Sequence, residues 1–170
     1  KMVEECNETS YISIFKEGFI VYLEIEETTM TVRVVPRIGI RLPAYCTAAG
    51  KVHLAFLREE ELDKLYGKTK LISFTPNTFT SLDDLKKELE KIRENGYAID
   101  NEEYDIGVRC VAAPIRDYTR RVVGAVSLSG PSMRFTDERI AQELVPIVVR
   151  EGEDLSIRLG FPAEKTAQET

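Results

Sequence analysis

An amphipathic segment near the middle of the chain, residues 82–95, constrains the fold more than any other feature. Its leucine and isoleucine side chains recur every three or four residues, and lysine, arginine and glutamate fill the positions between them. Ser81 precedes the segment as a suitable N-cap, and Gly96 follows it as a suitable C-cap. The pattern therefore predicts a surface helix that packs one apolar face against the rest of the domain.

Strand-like segments rich in β-branched and aromatic residues lie on both sides of this predicted helix. The segments before it cover residues 11–15, 19–25 and 31–35, and those after it cover residues 97–100, 108–115 and 122–129. Lys16, Glu17 and Gly18 form a break that is short enough for a hairpin between the first two. Strands grouped around central helices indicate an α+β domain with a mainly antiparallel sheet.

Three further helices are predicted from their caps and from apolar spacing. Thr47 is a suitable N-cap for a short helix, and a second short helix is expected around residues 58–66. Thr136 is a suitable N-cap for a long C-terminal helix, in which Pro146 predicts a kink and Gly152 predicts a close approach to a neighbouring element. We expect the helices to pack on one or both faces of the sheet.

The size and charge of the chain limit what it can do. Its 170 residues fit one compact domain, which we place at residues 1–162, followed by a polar C-terminal tail at residues 163–170. A formal net charge of -6 repels a phosphate backbone, so this chain alone is not expected to bind DNA. Since no apolar run approaches the ~20 residues that span a bilayer, we expect a soluble, cytoplasmic protein with no membrane partner.

The cysteine and histidine content argues against disulfides and a structural metal centre, and no cofactor is expected. Cys6, Cys46 and Cys110 are odd in number and far apart, which favours reduced thiols. No Cys-x-x-Cys pair occurs and His53 is the only histidine, so a structural zinc is not expected. Cys110 lies in an apolar strand and is expected to be buried. Thiol catalysis by Cys110 would require a base. His53 is the only candidate imidazole, and the sequence identifies no partner that would orient it.

Two segments carry residue types that suit anion binding, and each has a simpler interpretation. Ala48 and Ala49 begin the helix after Thr47, where free backbone N–H groups attract anions, although close packing more often explains small residues at such positions. Ser127 and Ser129 alternate along one strand and therefore share a face. That face either lines a polar pocket or is solvated.

An acidic run at residues 100–104 and the arginine that follows it leave several roles open. Asp100 and its neighbours can bind a cation, accept a hydrogen bond from a ligand hydroxyl, or stand solvated in a loop, and the solvated loop is the most common case. For Arg109 the simplest role is a structural ion pair, and Glu102 and Glu103 are its nearest carboxylates in the sequence.

Three segments, at residues 41–51, 96–114 and 122–131, together resemble the effector-binding domain of the isocitrate lyase regulator (IclR) family of bacterial transcriptional regulators. They occur in the family's order and spacing, and residues 74–80 also resemble the family's linker, so the resemblance covers nearly the whole chain. It implies a GAF-like fold, in which the cupped face of a sheet of about six strands holds a small organic effector. It also implies an N-terminal winged helix-turn-helix that is absent from this chain.

The resemblance also implies which residues form the effector pocket. They are Val34, Ala48, Ala49, Asp100, Val108, Cys110, Ser127 and Ser129. Backbone N–H groups and the two serine hydroxyls would hold a carboxylate, and Asp100 would accept a hydrogen bond from a ligand hydroxyl or a hydrated carbonyl. The chain departs from the family at His53, a position that family members usually fill with a small or aliphatic residue. Turned inward, His53 would add a cation or complete a metal site with Asp100 and Cys110; otherwise it packs against a neighbour.

The leading hypothesis is a sensor domain and not an enzyme. A small carboxylate-bearing metabolite would bind the pocket, change a dimer or tetramer of this chain, and so change DNA binding by the absent N-terminal domain. Two alternatives come from other classes of protein. One is a thiol-dependent enzyme or redox sensor that uses Cys110, and the other is a purely structural oligomerisation domain.

Overall fold

The computed structural model describes residues 1–35 and 39–162. The helical elements are α1 (Met2–Cys6), a 3-10 turn (Ala44–Cys46), α2 (Ala48–Ala55), α3 (Glu59–Tyr66), α4 (Leu82–Asn95), α5 (Asp137–Arg139), a π-helical segment (Ile140–Leu144) and α6 (Val145–Arg158). The strands are β1 (Thr9–Lys16), β2 (Phe19–Glu26), β3 (Arg41–Pro43), β4 (Ala98–Asn101), β5 (Val108–Arg116) and β6 (Val122–Pro131). Within these described ranges, none of the helices has the length and apolar character needed to cross a bilayer.

The strands form one six-stranded sheet in the order β3-β2-β1-β6-β5-β4, and every neighbouring pair is antiparallel. This sheet confirms the predicted α+β class. Because β1 pairs with β6, the first hairpin joins the late strands in a single layer. The register places Asp100 opposite Cys110 and Cys110 opposite Ser129, so three strands bring these side chains into one row.

Helices cover both faces of the sheet, because the side chains of each strand alternate between two cores. Ala112 belongs to the core beneath α2 and α4, whereas the preceding residue, Val111, belongs to the core beneath α6. A Cβ built on Gly152 of α6 would lie 2.8 Å from the carbonyl oxygen of Pro114 in β5. The predicted close approach at Gly152 is therefore confirmed.

The predicted helix boundaries rest on caps that the structure contains. Helix α4 covers the predicted residues 82–95. The side chains of Thr47, Ser81 and Thr136 each accept a hydrogen bond from the backbone N–H three residues later. Gly96 ends α4 with a φ of 77°, in the left-handed region that glycine adopts without strain.

Residues 31–35 do not form a strand, which corrects the expectation from their β-branched side chains. The third strand is instead β3, which pairs with the beginning of β2. Strand propensity is local, but a strand also requires a neighbour with which to pair. The side chain of Val34 lines a cavity instead.

Two further features differ from the sequence pattern. Helix α1 has only five residues, which is too short for apolar spacing to predict it. The C-terminal helix widens into the π-helical segment, which ends two residues before Pro146. This widening accommodates a residue that has no amide N–H. The predicted tail at residues 163–170 lies outside the described residues.

Candidate functional site

A cavity of about 90 Å³ lies between the start of α2 and the sheet face that α2 covers. One water molecule needs only a fraction of that space, so the cavity has the size for a small organic molecule. The residues around it come from all six strands, from the start of α2 and from the loops beside them. They are Tyr11, Ile20, Tyr22, Val34, Val35, Ile40, Leu42, Thr47, Ala48, Ala49, Asp100, Tyr104, Asp105, Val108, Cys110, Ser127 and Ser129.

All eight residues that the sequence assigned to an effector pocket line this one cavity. They are Val34, Ala48, Ala49, Asp100, Val108, Cys110, Ser127 and Ser129. Ser127 and Ser129 are almost fully buried, so their face of β6 is not solvated, and the pocket alternative for these serines is the one that the structure contains.

Sequence reasoning missed the aromatic part of the cavity wall. Tyr11 and Tyr22 lie on neighbouring strands, and their ring centroids are 4.7 Å apart. Burial raises the pKa of both phenols above the usual value, so both hydroxyls remain protonated near neutral pH. The register that places Tyr11 opposite Ser127 brings Tyr11 to the cavity. The register between strands that are distant in the chain, such as β1 and β6, cannot be predicted from one sequence, because no hairpin turn sets it.

The first turn of α2 presents backbone donors to the cavity. Thr47 is the N-cap, and the first intrahelical bond runs from the N–H of Lys51 to the carbonyl oxygen of Thr47 (2.9 Å). The N–H groups of Ala48 and Ala49 precede that bond and have no intrahelical partner. Close packing also acts on this turn, because a Cβ built on Gly50 would lie 2.3 Å from Ala44. Free backbone donors and a close backbone contact therefore occur at adjacent residues of one helix.

Asp100, Cys110 and Ser129 form a polar row along one side of the cavity. Oδ1 of Asp100 accepts a hydrogen bond from the backbone N–H of Glu103 (2.7 Å). Cys110 Sγ donates to Ser129 Oγ (3.3 Å). Burial, reinforced by the Glu103 carboxylate, raises the pKa of Asp100 to about 7. Burial, and then the Asp100 carboxylate, also raise the pKa of the Cys110 thiol well above its usual value, so the thiol stays protonated.

The expectation that the acidic run at residues 100–104 is a solvated loop was wrong for two of its members. Asp100 and Glu103 are each only 4% exposed. Glu103 is paired with Lys51, whose Nζ lies 2.5 Å from Glu103 Oε1, and Lys51 is itself fully buried. A run of charges is usually solvated, but here the ammonium group of Lys51 compensates the buried charge of Glu103. The two residues are 52 positions apart, so the sequence does not identify Lys51 as the partner.

His53 faces away from the cavity, so the candidate metal ligands His53, Asp100 and Cys110 are not brought together. The imidazole stacks against Phe15, with ring centroids 5.7 Å apart. Burial lowers the pKa of His53 to about 4, so the ring is neutral near pH 7. Across residues 1–35 and 39–162, no cluster of three His, Cys, Asp or Glu side chains could hold a metal ion.

Arg109 forms the predicted structural ion pair, but with a different partner. Its Nη2 lies 2.7 Å from Asp137 Oδ1, and its Nη1 donates to the carbonyl oxygen of Phe135 (2.5 Å). Glu102 instead accepts a hydrogen bond from the N–H of Gly107. Arg109 therefore ties β5 to the start of α5 and contributes nothing to the cavity.

Comparison with known proteins places the chain among the C-terminal domains of bacterial transcriptional regulators. The family model described as "Bacterial transcriptional regulator IclR C-terminal" matches residues 1–157. The chain therefore belongs to the IclR family, and it is the effector-binding domain of such a regulator.

Curated relatives and solved structures agree with this assignment. The HTH-type transcriptional regulator XynR of Escherichia coli K12 is 39% identical over 165 residues, which are 96% of this chain and 64% of XynR. The transcriptional repressor AllR of the same strain is 42% identical over 139 residues, which are 81% of this chain and 50% of AllR. The crystal structure of Thermotoga maritima IclR superposes with a TM-score of 0.88 at 38% identity, covering 94% of this chain and 64% of that one. This chain thus spans between half and about two thirds of each of these proteins.

Proposed function

We propose that the domain senses a small organic acid in the cavity between α2 and the sheet. Binding of the acid would change a dimer or tetramer of this chain, and through it the DNA binding of a domain outside this chain. The observation that carries the proposal is the convergence of three kinds of polar group on one small cavity. These are the backbone donors of Ala48 and Ala49, the hydroxyls of Ser127 and Ser129, and the carboxyl group of Asp100.

The chemistry of the cavity walls favours an acid that also carries a hydroxyl group. The free N–H groups and the dipole at the start of α2 attract a carboxylate, and the serine hydroxyls supply two more donors. Asp100 can accept a hydrogen bond from a hydroxyl. Ile20, Val34 and Leu42 line the remaining side and would bury the carbon skeleton, as apolar walls do in most small-molecule sites.

The regulatory step would be a shift between two arrangements of the assembly. An effector shifts such an equilibrium only by its difference in affinity for the two arrangements, typically about 1–3 kcal/mol. The net charge of -6 makes this domain a poor partner for DNA. The names of XynR and AllR, which are HTH-type regulators, support a DNA-binding domain elsewhere in the full protein, which we place in the cytoplasm.

Thiol chemistry is the weaker candidate function. A nucleophilic cysteine needs a lowered pKa, whereas the pKa of Cys110 is raised by burial and by the neighbouring carboxylate. The hydrogen bond from Cys110 to Ser129 also uses the thiol as a donor inside the cavity wall. Both observations favour a binding role for Cys110.

A thermal-shift screen of the purified chain against metabolite acids tests the proposal. An acid present at one hundred times its dissociation constant should stabilise the folded state by about 2.7 kcal/mol and raise the melting temperature. We expect hits among short hydroxy acids, and we expect Asp100→Ala and Ser129→Ala to abolish their effect.

Two matched controls keep this screen specific. Ser13→Ala removes a buried serine of the same sheet that does not line the cavity, and Asp83→Ala removes an exposed aspartate on α4. Both variants should retain the ligand-induced shift. A panel without any stabilising acid, or a hit that Asp100→Ala and Ser129→Ala both retain, would contradict the proposed site.

A further inference from the structure

A fully buried lysine lies behind the cavity on α2. Lys51 follows Ala48 and Ala49 by less than one turn, and its side chain is 0% exposed. Its Nζ donates to the carbonyl oxygen of Ile99 (2.6 Å) and to Glu103 Oε1 (2.5 Å). Ile99 directly precedes Asp100, and Glu103 follows it by three residues. One ammonium group therefore holds both sides of the short segment that carries Asp100.

Glu103 transmits this contact to Asp100 through its own backbone. Its N–H donates to Asp100 Oδ1 (2.7 Å), so the position of Glu103 fixes one oxygen of the Asp100 carboxyl group. The carboxylate of Glu103 depends mainly on Lys51. Its other donor, the N–H of Asn101, lies 3.4 Å away, and Oε2 accepts no hydrogen bond from the described residues.

Stability alone does not explain an ion pair at this depth. Desolvation offsets most of the attraction between buried charges, and two apolar side chains of similar size often stabilise a fold equally well. The turn at residues 101–103 has separate supports on its outer side, because Thr75 Oγ1 donates to the carbonyl oxygen of Glu102 (2.6 Å) and Thr78 Oγ1 donates to that of Glu103 (2.6 Å). The ion pair acts on the inner side, where Asp100 meets the cavity.

We propose that Lys51 and Glu103 are positioning residues for Asp100, and that they give the cavity its selectivity for a hydroxy acid over the same acid without the hydroxyl. This inference rests on the proposed function, because it assigns Asp100 to the ligand hydroxyl. Oδ1 is held by the N–H of Glu103, and the carboxyl group also interacts with the Cys110 thiol. We therefore assign Oδ2 as the acceptor for a ligand hydroxyl. Without the ion pair, the segment from Ile99 to Glu103 is released on its inner side and Asp100 is free to turn.

The charge of Asp100 depends on groups from every element around it. The titratable and charged side chains that face Asp100 or share its cavity are Tyr11, Tyr22, Cys46, Lys51, Glu103, Tyr104, Asp105 and Cys110. The three groups from this set that act most directly are the Glu103 carboxylate, the Lys51 ammonium and the Cys110 thiol. A test therefore has to separate the orientation of Asp100 from its charge.

The backbone amide proton of residue 103 reports this orientation directly, because it is donated to Asp100. In the 15N-labelled chain we expect its chemical shift to titrate with pH, and we expect Asp100→Asn to abolish that titration. The test variant is Lys51→Met together with Glu103→Gln, which removes both charges of the buried pair. Glu88, whose Oε1 lies 3.5 Å from Lys51 Nζ, is partly exposed and keeps Lys91 as a neighbour, so no fully buried ion is left unpaired. We expect it to fold and to lose at least half of the titration amplitude at residue 103. An unchanged titration would overturn the proposal.

A second measurement compares two probe acids, lactate and propionate, which differ only in the hydroxyl group. One hydrogen bond to a charged group corresponds to about tenfold in affinity. We expect wild type to prefer lactate by about that factor, and we expect the double variant to lose the preference while it retains its affinity for propionate. An equal loss of affinity for both acids would indicate a merely structural role and would overturn the proposal.

Lys86→Met is the matched control, because Lys86 also contacts two carboxylates, Glu59 and Asp63, and does not line the cavity. It should change neither the amide titration nor the lactate preference. If wild type binds neither acid, that result counts against the proposed function. The pH titration of the amide of residue 103 then decides by itself whether Lys51 and Glu103 position Asp100.

Discussion

Asp100 shows at the scale of a single residue how the fold changes the chemistry of a side chain. An aspartate in an unfolded chain has a pKa of about 3.9, whereas burial and the Glu103 carboxylate raise the pKa of Asp100 to about 7 in the folded domain. The folded chain therefore holds this proton more tightly than the unfolded chain. A neutral Asp100 can donate a hydrogen bond to a ligand, and an ionised one can only accept, so its two states suit different ligand groups.

This raised pKa predicts how stability depends on pH. Between about pH 4 and about pH 7 the folded state binds more protons than the unfolded state, so Asp100 lowers the free energy of unfolding as pH rises. Asp100→Asn removes this effect. We expect the variant to match wild type near pH ~4 and to exceed its stability by up to about 4 kcal/mol near pH ~8, measured by urea unfolding.

The control for this measurement is Asp83→Asn at an exposed position of α4, which should show no pH-dependent difference from wild type. His53, whose pKa burial lowers to about 4, contributes the opposite slope as it becomes charged below its unfolded pKa. That contribution is common to wild type and both variants and cancels in the difference. Parallel curves for Asp100→Asn and wild type would contradict a raised pKa at Asp100.

At the scale of an element, α2 combines close packing with backbone donors that line the cavity. Ala48 and Ala49 expose backbone donors to the cavity, and Gly50 allows the helix to touch the 3-10 turn before it. Lys51 then points to the other side, towards Ile99 and Glu103. Four consecutive residues therefore have different neighbours, which explains why small residues there fit both the anion and the packing interpretation.

The contact at Gly50 predicts the outcome of its replacement. Alanine is favoured over glycine in a helix by about 1 kcal/mol, but a Cβ at this position would lie 2.3 Å from the Cα and carbonyl oxygen of Ala44. Backbone atoms cannot move aside as a flexible side chain can. We expect Gly50→Ala to lower the free energy of unfolding by about 2 kcal/mol or more, in spite of the better helix propensity.

Chemical denaturation decides this prediction, with Glu90→Ala on the exposed face of α4 as the control. Glu90→Ala should change the free energy of unfolding by no more than about 0.5 kcal/mol. An equal or higher stability of Gly50→Ala would mean that α2 and the 3-10 turn can separate without cost, which is incompatible with the contact described.

At the scale of the whole molecule, one carboxylate near the N-terminus binds two arginines from the C-terminal part of the domain. Glu8, between α1 and β1, is 1% exposed. Its oxygens accept two hydrogen bonds from Arg134 and one from Arg139, each of 2.7 Å. Arg134 also donates to the carbonyl oxygen of Val32, in the segment that passes beside the cavity. The N-terminal and C-terminal parts of the domain are thus joined by buried charge as well as by the sheet.

Glu8→Gln should destabilise the whole domain. Removing one partner of a buried ion pair typically costs about 3–5 kcal/mol, and because both arginines are 20–24% exposed and reach water, we expect about 3 kcal/mol. The control is Glu5→Gln, which breaks the exposed pair of Glu5 with Arg150 and should cost no more than about 1 kcal/mol. Urea unfolding measures both. Equal losses in the two variants would contradict the central role of Glu8.

Much of the secondary structure was predictable, because caps and apolar periodicity act within a few residues. Helix α4 and its caps matched the predicted 82–95, and five of the six predicted strands were present. The prediction of a strand at residues 31–35 was wrong, because a strand depends on a partner as well as on its own β-branched residues. The cavity residues could be identified only through the resemblance to a family, since pattern alone left Ala48, Asp100 and Ser127 with several roles.

The sequence by itself determined most of the local elements, the α+β class and the family, because each of these is encoded in short-range spacing or in contiguous motifs. Only the tertiary structure decided which charges are buried together. Lys51 and Glu103 are 52 residues apart in the chain, and Glu8 and Arg139 are 131 residues apart. Their pairing, like the orientation of His53 away from the cavity, follows from strand register and helix packing. Both are properties of segments that meet only after folding.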